Sequence, residues 1–197
     1  MRRYKIVILT SGKSRGSNFE AIANYFQRKK LPIEISAVVI TNKSAPIIEK
    51  CEHFRIPHLF ISCKNINYYQ NKLAEYIQAN GINLIVLAGF MKLLKQDFIT
   101  SIQIPILNIH PALLPKFGGK GMYGINVHQA VYAKRERFSG ITIHQVNAEY
   151  DQGEIVFQKR IRVHRSKSPE IIAQKVLKQE HKYYGQVISK FLKDIYE

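Results

Sequence analysis

Asn108 and His110 stand two residues apart in an apolar run, Ile106-Leu107-Asn108-Ile109-His110, that Pro111 brings to a stop. In an extended chain residues i and i+2 share a face, so both polar groups project to the same side of a strand end. Buried polar groups have to be satisfied or used. An Asn amide can donate to an oxygen that gains negative charge, and an imidazole can move a proton. A lone histidine before a proline reads most simply as a satisfied core residue; the Asn beside it tips the balance toward chemistry. Asp151 lies in Glu149-Tyr150-Asp151-Gln152-Gly153, whose ordinary reading is turn chemistry. Brought near His110 by the fold, its charge would favour the imidazolium. His144, at an alternating position in mid-strand, is a competing candidate and is read as structural. No Ser or Cys has a nucleophile's setting, so a covalent acyl-enzyme is not expected. No His/Cys/Asp cluster has metal-ligand spacing, so no metal is expected.

These residues need a scaffold, and the hydrophobic pattern supplies one. Residues 5–10, 35–41, 58–61, 84–87 and 106–109 are short runs rich in β-branched residues and predict buried strands. Between them, 17–29, 45–54 and 67–80 predict helices. The first would open on a capping box, Ser17-Asn18-Phe19-Glu20, and the third would stop at Gly81. Strand–helix alternation implies right-handed βαβ units and a parallel sheet covered on both faces. Residues 139–146 and 155–163 alternate like half-exposed strands and suggest a hairpin around 147–154. Ser168-Pro169 starts a long final helix with an apolar stripe from Ile171 to Leu192. The expectation is one α/β domain over residues 1–197: a Rossmann-like, mostly parallel sheet flanked by helices, a C-terminal β-hairpin and a long last helix. Residues 116–126 hold four glycines and no periodicity, which predicts a mobile loop.

The loop Gly12-Lys13-Ser14-Arg15-Gly16-Ser17-Asn18 joins the first strand to the first helix. A Gly-rich turn at a helix N-terminus exposes N–H groups that suit an anion such as phosphate. It carries neither Gly-x-Gly-x-x-Gly nor a P-loop. From the loop alone, a phosphate site and a plain turn stand about even.

At 197 residues and 46% hydrophobic the chain suits one globular domain with a full core. No apolar run reaches membrane-span length, and the N-terminus carries no secretion signal. Cys51 and Cys63 lack metal or redox spacing, which fits a reduced, cytoplasmic setting. The net charge of +16 raises the question of nucleic acid. The cations are dispersed, with no tight block interleaved with aromatics, so solvated faces and anionic substrates are favoured over nucleic-acid binding.

An ordered set of segments then carries a resemblance. Ser11-Gly12 with Gly16-Ser17-Asn18, Leu87-Ala88-Gly89-Phe90-Met91, Asn108-Ile109-His110-Pro111-Ala112-Leu113-Leu114-Pro115-Lys116, Tyr150-Asp151-Gln152-Gly153 and Gln179-Glu180-His181 run across nearly the whole chain. In that order they resemble the phosphoribosylglycinamide formyltransferase family, folate-dependent enzymes of purine synthesis. The resemblance implies the formyltransferase fold and transfer of formyl from 10-formyltetrahydrofolate, as co-substrate, to the glycinamide amine by direct attack. It implies that Asn108 bonds the formyl oxygen and His110 donates the proton. Asp151 would favour the charged His110 and order a proton-relaying water. Gly16, Ser17 and Asn18 would meet the substrate phosphate, and Gly89 and Glu180 the glycinamide and ribose. Met91, Lys92, Leu93 and Leu94 would line the folate pterin pocket, largely through backbone. Residues 1–105 are then the nucleotide and phosphate half, and 106–197 the catalytic and folate half, of a monomer or homodimer with small-molecule substrates and no membrane.

The chain departs from the family pattern in places. The phosphate loop is two residues longer through Lys13-Ser14-Arg15, and Lys13 or Arg15 either contacts phosphate or is solvated. Lys92 stands where the family commonly has Arg. Ile66 replaces a basic residue that the family often sets before the third helix for the folate glutamate tail, with Lys64 a nearby substitute. The loop after Lys116 is longer and glycine-richer, and is expected to be a lid. Methionyl-tRNA formyltransferase shares the Asn, His and Asp, but no second domain is expected here to hold tRNA. A formyltetrahydrofolate deformylase would carry an N-terminal regulatory domain.

Overall fold

Five short apolar strands laid side by side form the spine of this chain. The computed structural model describes residues 3–11 and 15–197. The strands are β1 (Tyr4–Thr10), β2 (Ile33–Ile40), β3 (His58–Phe60), β4 (Leu84–Leu87), β5 (Ile106–His110), β6 (Phe138–Gln145) and β7 (Ile155–Arg162). They make one seven-stranded sheet in the order β3-β2-β1-β4-β5-β6-β7. The first five strands are parallel, and β6 and β7 run antiparallel at one end.

Alternation assigns the two faces. Ile6, Ile8, Val86, Leu107, Ile109, Ile141 and Ile143 pack with α1 (Ser17–Lys29) and α6 (Pro169–Tyr196). Val7, Leu9, Ile85, Leu87 and Ile106 pack on the other face with α3 (Ile66–Asn80) and α4 (Gln96–Ile102). Burial on both sides explains why β1 and β4 read as continuous apolar runs. Two remaining helices, α2 (Ile47–Phe54) and α5 (Ile125–Ala133), cover the flanks.

Gly81 ends α3 at φ 62, as expected; at the other end Asn65, to which the sequence pattern assigned no role, caps the helix by accepting from the N–H groups of Asn67 and Tyr68. Ser168 caps α6 with Pro169 at its first turn. Three expectations need correction. Ser17 does not cap α1: the cap is Gly16, with no side-chain bond, and the Glu20 carboxylate is drawn to Lys50 instead. β6 is not half-exposed but buried along nearly its whole length, because β7 and not β6 forms the sheet edge. The segment after Lys116 gives way to α5 at Ile125. Gly12 and Lys13 lie outside the described residues.

Candidate active site

The strand order reverses between β1 and β4, where an open α/β sheet leaves a crevice beyond its strand ends. A cavity of about 800 Å³ opens there, a size that suits an organic ligand of several rings. Six of the chain's exposed large hydrophobic residues, Met91, Leu93, Tyr123, Ile125, Tyr150 and Leu177, line it. Apolar surface left in water is costly, and its concentration in one concavity marks a binding site.

The face that carries Asn108 and His110 follows from the β5–β6 register, in which Asn108 sits opposite His144 and His110 opposite Thr142. Thr142 fixes the chain that follows β5: its hydroxyl donates to the Ala112 carbonyl (2.7 Å) and accepts from the Leu114 N–H (3.0 Å). Gln158 on β7 adds a bond to the Leu114 carbonyl (2.9 Å). His110 is 3% exposed. Its Nε2 lies 2.8 Å from the Phe117 carbonyl, which can only accept, so that nitrogen carries a hydrogen. The nitrogen left to gain or lose a proton is Nδ1, 3.5 Å from Asp151 Oδ1.

The same reasoning fixes His144. Its Nδ1 donates to the Gln145 carbonyl (2.8 Å), so in the neutral ring Nε2 accepts from Asn108 Nδ2 at 3.1 Å. Asn108 is thereby held with one N–H spent and the other free for a ligand oxygen. Asp151 Oδ1 also faces His144 Nε2 at 3.6 Å, while its Oδ2 accepts from the Gly119 N–H at 2.9 Å. Burial opposes ionisation of Asp151. The His110 imidazole and the Gly119 N–H outweigh it and hold the carboxyl well below the usual range. Asp151 and Phe117 both have positive φ, 58° and 59°. Asp tolerates that region, but a bulky Phe does so at a cost, which places strain beside His110.

The other wall is built from α1 and α6. Asn18 Nδ2 donates to Glu180 Oε2 at 2.7 Å, and Asn18 Oδ1 is buried with no hydrogen-bond partner. Burial pushes the Glu180 carboxyl up, with Asn18 and His110 pulling the other way. One turn further along α6, the Tyr184 hydroxyl reaches the carbonyls of Leu87 (2.9 Å) and Leu107 (3.2 Å), tying both strand ends to this helix. At the apolar end the Ser11 hydroxyl donates to the Gly89 carbonyl (2.5 Å) and accepts from the Met91 N–H (3.1 Å). Gly89 has φ 78°, and its turn launches the Phe90–Leu94 segment along the rim.

Asn18, Gly89, Met91, Lys92, Leu93, Leu94, Asn108, His110, Asp151 and Glu180 therefore share one cavity. Gly16 and Ser17 are not among its lining residues but form the helix start just before Asn18. A Cβ on Gly16 would lie 2.4 Å from Ile47 Cγ1, so packing and its φ of 68° are enough to require glycine there. Lys64 does not line the cavity. Sequence reasoning set His144 aside as structural; it anchors Asn108 and faces Asp151 instead. Its alternation with Thr142 on one strand face was the available signal. Among the described residues, no group of three or more His, Cys, Asp or Glu is placed to hold a metal.

Residues 4–188 match the family model described as formyl transferase. The chain belongs to the formyl transferase family. Its relatives within that family include phosphoribosylglycinamide formyltransferases. The protein of that name from Bacillus subtilis (strain 168) is 34% identical over 194 residues, covering 95% of this chain and 94% of the other. The chloroplastic one from Arabidopsis thaliana is 38% identical over 191 residues, 95% of this chain but 65% of that protein, so the chain spans just under two thirds of the plant relative. The family's fold is matched by glycinamide ribonucleotide transformylase 1 from Symbiobacterium toebii, with a TM-score of 0.87 at 27% identity over 98% of this chain and 89% of that one.

Proposed function

We propose that this formyl transferase moves the formyl group of 10-formyltetrahydrofolate to the amine of N1-(5-phospho-D-ribosyl)glycinamide, giving the N-formyl product and tetrahydrofolate in purine synthesis. The observation that carries the reading is the arrangement of Asn108, His144, Asp151 and His110 at the paired ends of β5 and β6. It presents a free amide N–H and an imidazole nitrogen to one cavity, with no nucleophile between them among the described residues. That set suits direct attack of an amine on a carbonyl.

The folate donor supplies an activated one-carbon unit; the protein supplies positions and protons. Asn108 uses its free N–H to hold the formyl oxygen as charge develops. His110, with Nδ1 beside the Asp151 carboxylate, stabilises the charge on that oxygen and gives a proton toward the departing nitrogen. The proton lost by the attacking amine balances this step through Asp151 and water. The apolar rim of Phe90, Met91, Leu93 and Leu94 suits a flat heteroaromatic ring. The orphaned Asn18 Oδ1 calls for a donor such as a sugar hydroxyl or amine, and the start of α1 suits the phosphate. The folate segment precedes residue 105, so the two chain halves do not divide by ligand. We place the reaction in the cytoplasm, in a monomer or homodimer. The two free thiols support a reduced setting, and no described helix is long and apolar enough to cross a membrane.

The test is formyl transfer from 10-formyltetrahydrofolate offered to glycinamide ribonucleotide and, separately, to methionyl-tRNA. The expected result is turnover on the ribonucleotide alone. Transfer to the tRNA alone, or steeply salt-dependent nucleic-acid binding without turnover, would overturn the reading.

A further inference from the structure

Among the described residues, the cavity wall carries two lysines and no arginine: Lys92 on the apolar rim and Lys120 on the opposite segment. Lys120 is exposed and pairs with no carboxylate, whereas Lys116, four residues earlier, is held by Glu136 at 3.1 Å. Glycines flank it at φ 96° (Gly119) and φ 87° (Gly121), and a Cβ at either would meet nothing within 4 Å. These glycines are therefore not demanded by packing. They give the backbone on either side of the lysine a course that other residues rarely adopt.

The root of this segment is fixed to the chemistry. The Phe117 carbonyl accepts from His110, and the Gly119 N–H donates to Asp151, directly before Lys120. Beyond the lysine the turn is closed by Met122 N–H to the Gly119 carbonyl (3.0 Å) and Asn126 Nδ2 to the Gly121 carbonyl (3.1 Å). An unpartnered ammonium is thus delivered to a ligand cavity whose other side-chain charges include Glu149, Asp151 and Glu180.

We propose that Lys120 is a substrate-recognition residue whose ammonium pairs with an anionic oxygen group, phosphate or carboxylate, of a bound substrate. Pairing there settles the segment that bonds Asp151 and His110, so anion binding and catalytic geometry are linked. The choice of ligands rests on the formyl-transfer reading, whose substrates carry a phosphate on one side and glutamate carboxylates on the other.

The experiment is calorimetric titration of wild type, Lys120→Ala and Lys120→Arg. The ligands are glycinamide ribonucleotide, its dephosphorylated riboside, and mono- and triglutamyl 5,8-dideazafolate, with transfer kinetics alongside. Lys120→Ala is expected to weaken one charged ligand about ten- to a hundredfold, the range of a lost charge-assisted bond, with Lys120→Arg within a few-fold of wild type. A loss confined to the phosphorylated ligand assigns phosphate; a loss that grows with glutamate number assigns the tail. Affinities unchanged within about twofold, or equal losses in the Ala and Arg variants, would overturn the role of Lys120. Wild-type protein that binds none of the ligands would instead overturn the formyl-transfer reading.

Discussion

His128 gives a prediction whose size follows from its surroundings. It lies on α5, 6% exposed, at the cavity wall, and its Nδ1 has no hydrogen-bond partner. Burial, with the charge of His110 adding to it, holds its pKa down to about 4. The native state therefore keeps this ring neutral, while the unfolded chain protonates it near 6.5. Protons then favour the unfolded state as pH falls from 6.5, and the loss saturates once pH drops below 4. The cost is about 2 kcal/mol at pH 5 and about 3 kcal/mol below pH 4. Asp151, with its pKa depressed, adds stability that is lost only below its ordinary range near 3.8, so the window from pH 7 to 5 excludes it. His128→Leu removes the titrating ring at similar volume. Urea unfolding at pH 7 and pH 5 should show the wild type losing about 2 kcal/mol more than the variant, or roughly 4–8 °C in Tm. The other histidines are common to both proteins and cancel. Equal losses would show that burial does not hold His128 neutral in the native state. A neutral His128 also spares His110 a second positive charge in the same wall.

Asp151→Asn should lower turnover by about two to four orders of magnitude and move the basic limb of the remaining pH–rate profile to lower pH; an unmoved limb would show that the carboxylate does not support the charged His110. His144→Phe should cost about ten- to a hundredfold in kcat with little change in KM, because Asn108 loses its anchor; a KM effect alone would count against that role. Gly16→Ala should destabilise by about 2–4 kcal/mol in urea, from the Ile47 clash and the positive φ; an unchanged midpoint would contradict the packing.

Much of this molecule was legible in its residues because the parallel strands are buried on both faces and so read as apolar runs. Gly81 and Ser168 did what their types suggest. The short α4, at seven residues, has too few turns to show a period, and the start of α5 is masked by the glycines before it. Ser17 looked like a cap but Lys50, distant in sequence, competes for Glu20. His144 was missed because alternation reports which face a residue takes, not what it meets across the strand. That the carbonyl of Phe117 would choose the active nitrogen of His110 depends on a backbone bond, which side-chain identity does not encode.

In the proposed reaction the β5–β6 constellation transfers formyl with His110 as the proton donor. The most direct measurement is the rate of formyl transfer to glycinamide ribonucleotide by wild type and His110→Ala, with urea unfolding of both alongside. Clear wild-type turnover, a fall of about two to four orders of magnitude in the variant and retained folding are expected. A variant that stays folded and turns over at near wild-type rate would contradict this role of His110.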